Sequence, residues 1–303
     1  MFIGRDKSMN IRNIIKKMVP NILIDECRFL ILKRNLGKLS FTEKENFKDE
    51  IEFILHGKDP WCPIPYSLNC SVGAEQVQVK TDYENGYSYV VHACMGKEHR
   101  LYFPKDLSEY LIKELYCSLI NEQDINSPHC YFDNTHFLEN ETLIDIGAAE
   151  GIITLNNLER IQHAYLFEGD SRWFIPLALT FADFKDKVTI INKYVSDIET
   201  DTSINLNNFL ENHKEHNKLF IKMDIEGMEM QVLQSMVEVF KSRRNIKMSI
   251  CAYHCPNDAE EITNLLKNFG FSTRFSKRYM YIGFNADYPT FRKGVIYAEK
   301  SEG

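Results

Sequence analysis

From about residue 141 onward, apolar and polar positions alternate with the regularity of packed secondary structure. Residues 142–146 form a short apolar run closed by Gly147, and residues 151–160 read as a helix. Then come a strand at 164–167, a long helix at 171–184, a strand at 188–195 and a helix at 204–213. A buried strand at 219–223, a helix at 228–242 and a strand at 247–253 follow. The last helix, 258–269, is stopped by Gly270. Strands alternating with helices imply parallel strands joined by helical crossovers, hence a doubly wound α/β sheet.

Residues 1 to about 140 lack this alternation. Residues 111–120 carry a helical apolar face, and 87–93 and 100–103 read as short strands around the turn-forming Met95-Gly96-Lys97. Pro60, Pro63 and Pro65 exclude a continuous element over 58–68, where Trp61 and Tyr66 suggest a structured loop. Near the start, Ile11, Ile14, Ile15 and Met18 recur at helical spacing beside Arg12, Lys16 and Lys17. Residues 9–20 are thus expected either to pack on the protein or a partner, or to rest on an anionic membrane as a peripheral contact. No run of about 18 apolar residues is present, so no transmembrane helix is expected, and the segment lacks the order of a secretory signal.

Composition narrows the class. With 44% hydrophobic and 26% charged residues the chain is that of a globular protein, and a net charge of −7 argues against nucleic acid as partner. The eight cysteines are scattered without a C-x-x-C pair, which favours reduced thiols and a cytoplasmic setting. Cys251 and Cys255 flank His254, and Cys130 follows His129, but these do not form the two close pairs of a structural zinc site.

In such a sheet the ligand crevice lies beyond the carboxyl ends of the strands. The first end reads Asp145-Ile146-Gly147-Ala148-Ala149-Glu150-Gly151. Gly147 allows a sharp turn and Gly151 a close approach of helix to ligand. The loop is neither G-x-G-x-x-G, since Ala149 replaces the middle glycine, nor a P-loop. At the second end Glu168 suits two ribose hydroxyls, or else caps the helix that follows. Together these imply an adenosine-bearing ligand without a polyphosphate, a description that fits S-adenosylmethionine. The third end offers Ser196 and Asp197 to an adenine edge.

The fourth end, Ile221-Lys222-Met223-Asp224-Ile225-Glu226-Gly227-Met228-Glu229, is the richest in charge. Alternation along an extended chain puts Lys222, Asp224 and Glu226 on one side. Asp224 is expected at the reacting centre, and Asp224 with Glu226 would be the ligands of a divalent cation if one is used. The alternative is a Lys222 salt bridge with Glu226 and Glu229 at a helix N-terminus. His254, at the fifth end, is a candidate general base or a structural histidine.

These motifs resemble the FkbM family of class I methyltransferases. The resemblance rests on Leu143-Ile144-Asp145-Ile146-Gly147-Ala148, Phe167-Glu168, the segment from Ile221 to Glu229, and Cys251-Ala252-Tyr253-His254. The family's usual Gly-Ala-Asn-x-Gly has Ala149 in place of Asn. The resemblance implies a Rossmann-like, mostly parallel seven-stranded sheet with an antiparallel C-terminal hairpin, for which residues 271–275 and 279–284 are candidates. It implies methyl transfer from S-adenosylmethionine to oxygen, on a hydroxyl of a sugar, polysaccharide precursor or other small molecule.

Cofactor contacts are accordingly expected from Asp145, Gly147, Ala148, Gly151, Glu168, Ser196 and Asp224. Catalysis is expected from Asp224 with His254 or, secondarily, His129 as base. Residues 122–131, including His129, read as a lid or substrate wall, or as an ordinary polar loop. Residues 1–110 are expected to form an N-terminal extension (a substrate module, lid or dimerisation element) and residues 111–303 the methyltransferase domain. The rival readings are a nicotinamide-dependent oxidoreductase, because Glu168 suits either ribose, and a binding module that has lost activity.

Overall fold

The structure, a computed structural model, describes residues 30–56, 73–243, 245–282 and 289–300. The expectation for residues 9–20 lies outside them, as does the proline-rich loop at 58–68. Two units divide the chain: residues 1–65 with 279–291, and residues 66–278 with 292–303. The division expected at residue 110 falls inside the second unit.

The second unit is organised by seven strands: β4 (Thr142–Ile146), β5 (His163–Phe167), β6 (Val188–Ile191), β9 (Lys218–Met223), β10 (Asn245–Cys251), β11 (Ser272–Phe275) and β14 (Val295–Lys300). Their order is β11-β14-β10-β9-β4-β5-β6. β6, β5, β4, β9 and β10 run parallel, while β14 lies antiparallel between β10 and β11. All five residues of the interior strand β4 are buried, as expected where both faces of a parallel sheet are covered.

Alternate side chains feed two apolar layers. Leu143, Leu166 and Phe220 join one, and Ile144, Phe167, Ile221 and Met223 the other. Each fully buried Leu, Ile or Phe there contributes about 1.5–3 kcal/mol relative to exposure. An antiparallel sheet of β1 (Val79–Asp82), β2 (Tyr87–Cys94) and β3 (Lys97–Phe103) lends Val90, Leu101 and Phe103 to the first layer. Its β2–β3 turn has Met95 and Gly96 both at positive φ, the conformation that favours a tight hairpin. The helix Glu109–Asn121 starts on Ser108, whose side chain accepts from Leu111 N–H, and buries Ile112, Tyr116 and Cys117.

In the first unit, residues 30–37 are helical, and the helices Phe41–Asn46 and Lys48–His56 follow. Ser40 and Glu43 form a capping box at the start of Phe41–Asn46. Leu32, Leu36, Leu39 and Ile54 pack with Tyr281, and the ring of Phe47 stacks on Phe291 at 4.5 Å. Among the described residues no helix is long and apolar enough to cross a membrane.

Several elements differ from the sequence reading. The strand beside β11 is β14, not residues 279–284. Instead β12 (Met280–Ile282) pairs with β13 (Thr290–Arg292) in a separate ribbon. The span 188–195 is two strands: β6 stays in the main sheet, while β7 (Tyr194–Ser196) pairs with β8 (Ser203–Asn205). The helix expected over 151–160 is only Ile152–Asn156. The one expected over 171–184 is broken into a 3₁₀ turn, a helix Phe174–Thr180 and a second 3₁₀ turn. The one expected over 228–242 is interrupted at Met236. Apolar periodicity persists through such interruptions because packing continues on one face while the backbone hydrogen bonds reset.

Candidate active site

The carboxyl ends of β4, β5, β9 and β10 meet at one edge of the sheet. After β4, positive φ recurs at Gly147 (72°), Ala149 (44°) and Gly151 (80°), which coils the loop tightly. A Cβ on Gly147 would lie 2.0 Å from the backbone oxygen of Asp224, so only glycine lets the β4 and β9 ends approach. A Cβ on Gly151 would meet Phe181 at 2.7 Å and Leu177 at 2.9 Å; that glycine lets the helix Phe174–Thr180 pack against the loop. Ala148 is buried in the first apolar layer.

Asp145 is fully buried and faces inward. It accepts from Thr154 Oγ1 at 2.8 Å, and Lys222 Nζ lies 3.4 Å from its other oxygen. Lys222 also donates to the carbonyls of Gly147 (2.6 Å) and Ile146 (3.3 Å). Burial disfavours its charge, but Asp145 and Asp224 outweigh that and hold its pKa above the ordinary value. The pair braces the loop from behind. Glu168, at the end of β5, accepts from Ala149 N–H at 2.9 Å and Asp170 N–H at 2.7 Å. The helical cap here is Asp170, which accepts from Arg172 N–H. Each Glu168 oxygen keeps a lone pair for a further donor.

Asp224 stands beyond β9 and is flanked by two imidazoles: its Oδ2 is 3.4 Å from His129 Nε2 and its Oδ1 is 3.4 Å from His254 Nε2. Tyr131 donates its hydroxyl to Oδ2 at 2.7 Å. Burial alone would push the Asp224 carboxyl up. The hydrogen bond and charge of His129, with Lys222 and Tyr131, reverse this and hold it far below the carboxylate range. Each histidine has a second acid behind it. Glu122 Oε2 lies 3.5 Å from His129 Nδ1, and Glu229 Oε1 lies 2.9 Å from His254 Nδ1. For both rings burial opposes the charge, but the neighbouring carboxylates prevail and raise the pKa. Burial raises that of Glu122.

The segment bearing His129 is anchored at many points. Gln123 bridges His129 O and Tyr131 N–H, Ser249 Oγ donates to Tyr131 O, and Tyr297 donates to Cys130 O. Pro128 O accepts from Val295 N–H at 3.1 Å and Ser276 Oγ at 2.6 Å, and Gly294 leaves no room there for a Cβ. Such anchoring suits a wall of the site rather than a lid. Tyr253 reaches His129 Nε2 at 3.1 Å, while Arg292 holds the carbonyls of Tyr253 and His254.

The model for the methyltransferase FkbM domain matches residues 71–273. The chain belongs to the FkbM methyltransferase family. Its cofactor is S-adenosylmethionine, and family membership decides for methyl transfer over hydride transfer. None of the curated proteins compared matches the sequence. Solved structures similar to this FkbM chain include a precorrin-6y C5,15-methyltransferase from Geobacter metallireducens, with 13% identity and TM-score 0.38, covering 54% of this chain and 83% of that one. A Streptococcus mutans protein described as a methyltransferase and solved with SAH has 12% identity and TM-score 0.36, covering 55% and 91%. A Streptococcus thermophilus rRNA methylase has 11% identity and TM-score 0.32, covering 55% and 89%.

Within this FkbM site the remaining expected residues are more scattered. Ser196 ends β7 outside the main sheet, and its hydroxyl is spent in a local turn with Ile198. Glu226 is exposed at φ 57°, so the expected alternation of Lys222, Asp224 and Glu226 ends with the strand at Met223. The acid that joins Asp224 and His254 is Glu229, not Glu226. His129, Asp224 and Cys251 form a second close group, but their facing atoms are already engaged with Tyr131 and Tyr253. Glu122 and Tyr131 lie in the segment read as a lid or substrate wall, and Tyr253 and Cys251 beside His254, but none of the four is assigned a role of its own by the sequence. Their one sequence signal was position, just before the core or at a strand end.

Proposed function

We propose that this FkbM methyltransferase is an O-methyltransferase acting on a hydroxyl of a small molecule or glycan. The observation that carries the reading is Asp224 between two imidazoles, at 3.4 Å from each, directly beside the loop after β4. A neutral alcohol is a poor nucleophile, and a base near neutral pH is what its methylation needs most. The residues present fit the cofactor. The carboxylates of Glu168 and Asp224 complement a ligand bearing sulfonium and ammonium charge, and Glu168 suits ribose hydroxyls. The loop 147–151 and Glu168 would hold it, and when bound it supplies a methyl group already activated by positive sulfur.

The chain's own residues then do three things. Asp224 orients the acceptor hydroxyl, His254 Nε2 takes its proton, and the wall of His129, Tyr131 and Tyr253 keeps water away. His129 is the weaker base candidate because Nε2 is crowded by Tyr253, Tyr131 and Asp224. A net charge of −7 supports an acceptor other than nucleic acid. The free thiols of Cys94, Cys117, Cys130, Cys251 and Cys255 support a reducing, cytoplasmic setting.

Labelled-methyl transfer to a panel of nucleotide sugars and glycans tests the reading. Label on a hydroxyl oxygen is expected, and transfer only to nitrogen, carbon or nucleic acid would sink it. Calorimetric titration with S-adenosylhomocysteine tests the cofactor residues: Glu168→Ala should bind at least about tenfold more weakly, the worth of one lost pair of charge-assisted hydrogen bonds. Equal affinity would remove Glu168 from the site.

A further inference from the structure

The turn after β9 brings two carboxylates to opposite nitrogens of one imidazole. Glu226 (φ 57°) and Gly227 (φ 99°) double the chain back, and the helix Glu229–Ser235 starts immediately. A Cβ on Gly227 would already sit 3.7 Å from that of His254, so the turn lies close under the histidine. As a result Asp224 faces His254 Nε2 at 3.4 Å while Glu229 faces Nδ1 at 2.9 Å.

Glu229 is an unusual residue to bury. It is 0% exposed, and its Oε1 also accepts from Ile225 N–H at 2.9 Å, but Oε2 has no hydrogen-bond partner. An incompletely satisfied carboxylate in the interior costs free energy that an apolar side chain of the same size would avoid. Its stabilising value is therefore small, and its geometry acts on the imidazole. A carboxylate only accepts, so a short contact to Nδ1 places the ring's proton there. Glu229 at 2.9 Å is the nearer acid, while Asp224 stands 3.4 Å from Nε2 without a hydrogen bond, so the neutral ring keeps its lone pair at Nε2.

We infer that Glu229 is a positioning residue that holds His254 in the Nδ1–H tautomer with its basic Nε2 turned to the acceptor hydroxyl. The inference rests on His254 being the proton acceptor. When the O–H bond breaks, the proton goes to Nε2 as the oxygen forms its bond to the methyl carbon and the carbon–sulfur bond breaks. Glu229, 2.9 Å from Nδ1, stabilises the imidazolium so formed. His129 lacks this arrangement, since Glu122 stands 3.5 Å from its Nδ1 without a hydrogen bond.

Nitrogen-15 NMR of the full chain labelled at histidine tests this without an acceptor, His254→Ala identifying the signals. At a pH where the ring is neutral, wild type should show a protonated Nδ1 and an unprotonated Nε2. An Nε2–H tautomer would overturn the inference, even if no Glu229 variant folds. Glu229→Gln, whose amide can present oxygen or NH₂ to Nδ1, should mix the tautomers, and an unchanged pattern would also overturn it. On an identified acceptor, kcat should fall about 10²-fold or more with affinity for S-adenosylhomocysteine within about twofold. In the His254→Ala background the same change should cost nothing further, and an added loss counts against the inference. Full turnover by His254→Ala would refute the base while leaving the tautomer result standing, so the two failures are distinguishable.

Discussion

Glu150 sits in the loop after β4 and is only 5% exposed, in a place where ionisation is expensive. Burial is the main cause. Glu122 and Asp145 add to it, Lys222 and the residue's own N–H work against it, and the carboxyl is pushed up to about 8. Between 4.5 and about 8 the folded chain therefore keeps a proton that the unfolded chain has lost. Stability falls as pH rises through that window and is level above it. At about 1.4 kcal/mol per pH unit the penalty reaches up to about 5 kcal/mol. Glu150→Gln, which imitates the protonated carboxyl, should match wild type at pH 4. It should gain progressively to as much as about 5 kcal/mol at pH 9. Denaturant unfolding of both proteins across this range measures the difference. Equal stability at pH 9, or a gain that does not vary with pH, would refute the reasoning by showing that the carboxylate ionises without penalty.

Lys222→Met leaves Asp145 buried without its cation and should cost about 3–5 kcal/mol in denaturant unfolding, much of it recovered by adding Asp145→Asn. Gly147→Ala should be far more damaging than Gly96→Ala. Both positions have similar positive φ, but only the first has a backbone oxygen 2.0 Å from the new Cβ. The Gly96 variant should lose about 1–2 kcal/mol in the same assay. On any hydroxyl acceptor, kcat/KM should fall on the acid side with a midpoint above 6.5, because His254 must be neutral to accept a proton and its neighbours favour the charged ring.

The parallel half of the fold was legible because β4, β5, β9 and β10 bury alternate side chains in two layers, and apolar residues therefore dominate each of these short runs. β14 was not legible as the partner of β11. Its run at 295–300 ends in Glu299 and Lys300 and is less apolar than the run at 279–284, and only pairing across distant sequence reveals it as the partner. Asp224 and His254 could be read from their places at strand ends, which topology alone brings together. The wall residues could not. Tyr131 reaches Asp224 only because backbone acceptors at Pro128, Cys130 and Tyr131 are held by Val295, Ser276, Tyr297 and Ser249, none of them near in sequence. Glu226 and Glu229 show the remaining limit: counting alternate residues cannot foresee a turn at Glu226 and Gly227 that exchanges which acid faces the histidine.

The placement of β14 also sets an order of assembly. Residues 292–300 are made after every other strand of the main sheet, yet they fill the gap between β10 and β11 and supply the N–H that holds Pro128. A chain lacking them has two unpaired strand edges and loses the bonds from Val295 to Pro128 and from Tyr297 to Cys130 that support the His129 segment, even with the entire parallel half complete. Asp224, His254 and the cofactor loop all precede β14 in the chain, so what depends on this last strand is the support of the wall that carries His129 and Tyr131.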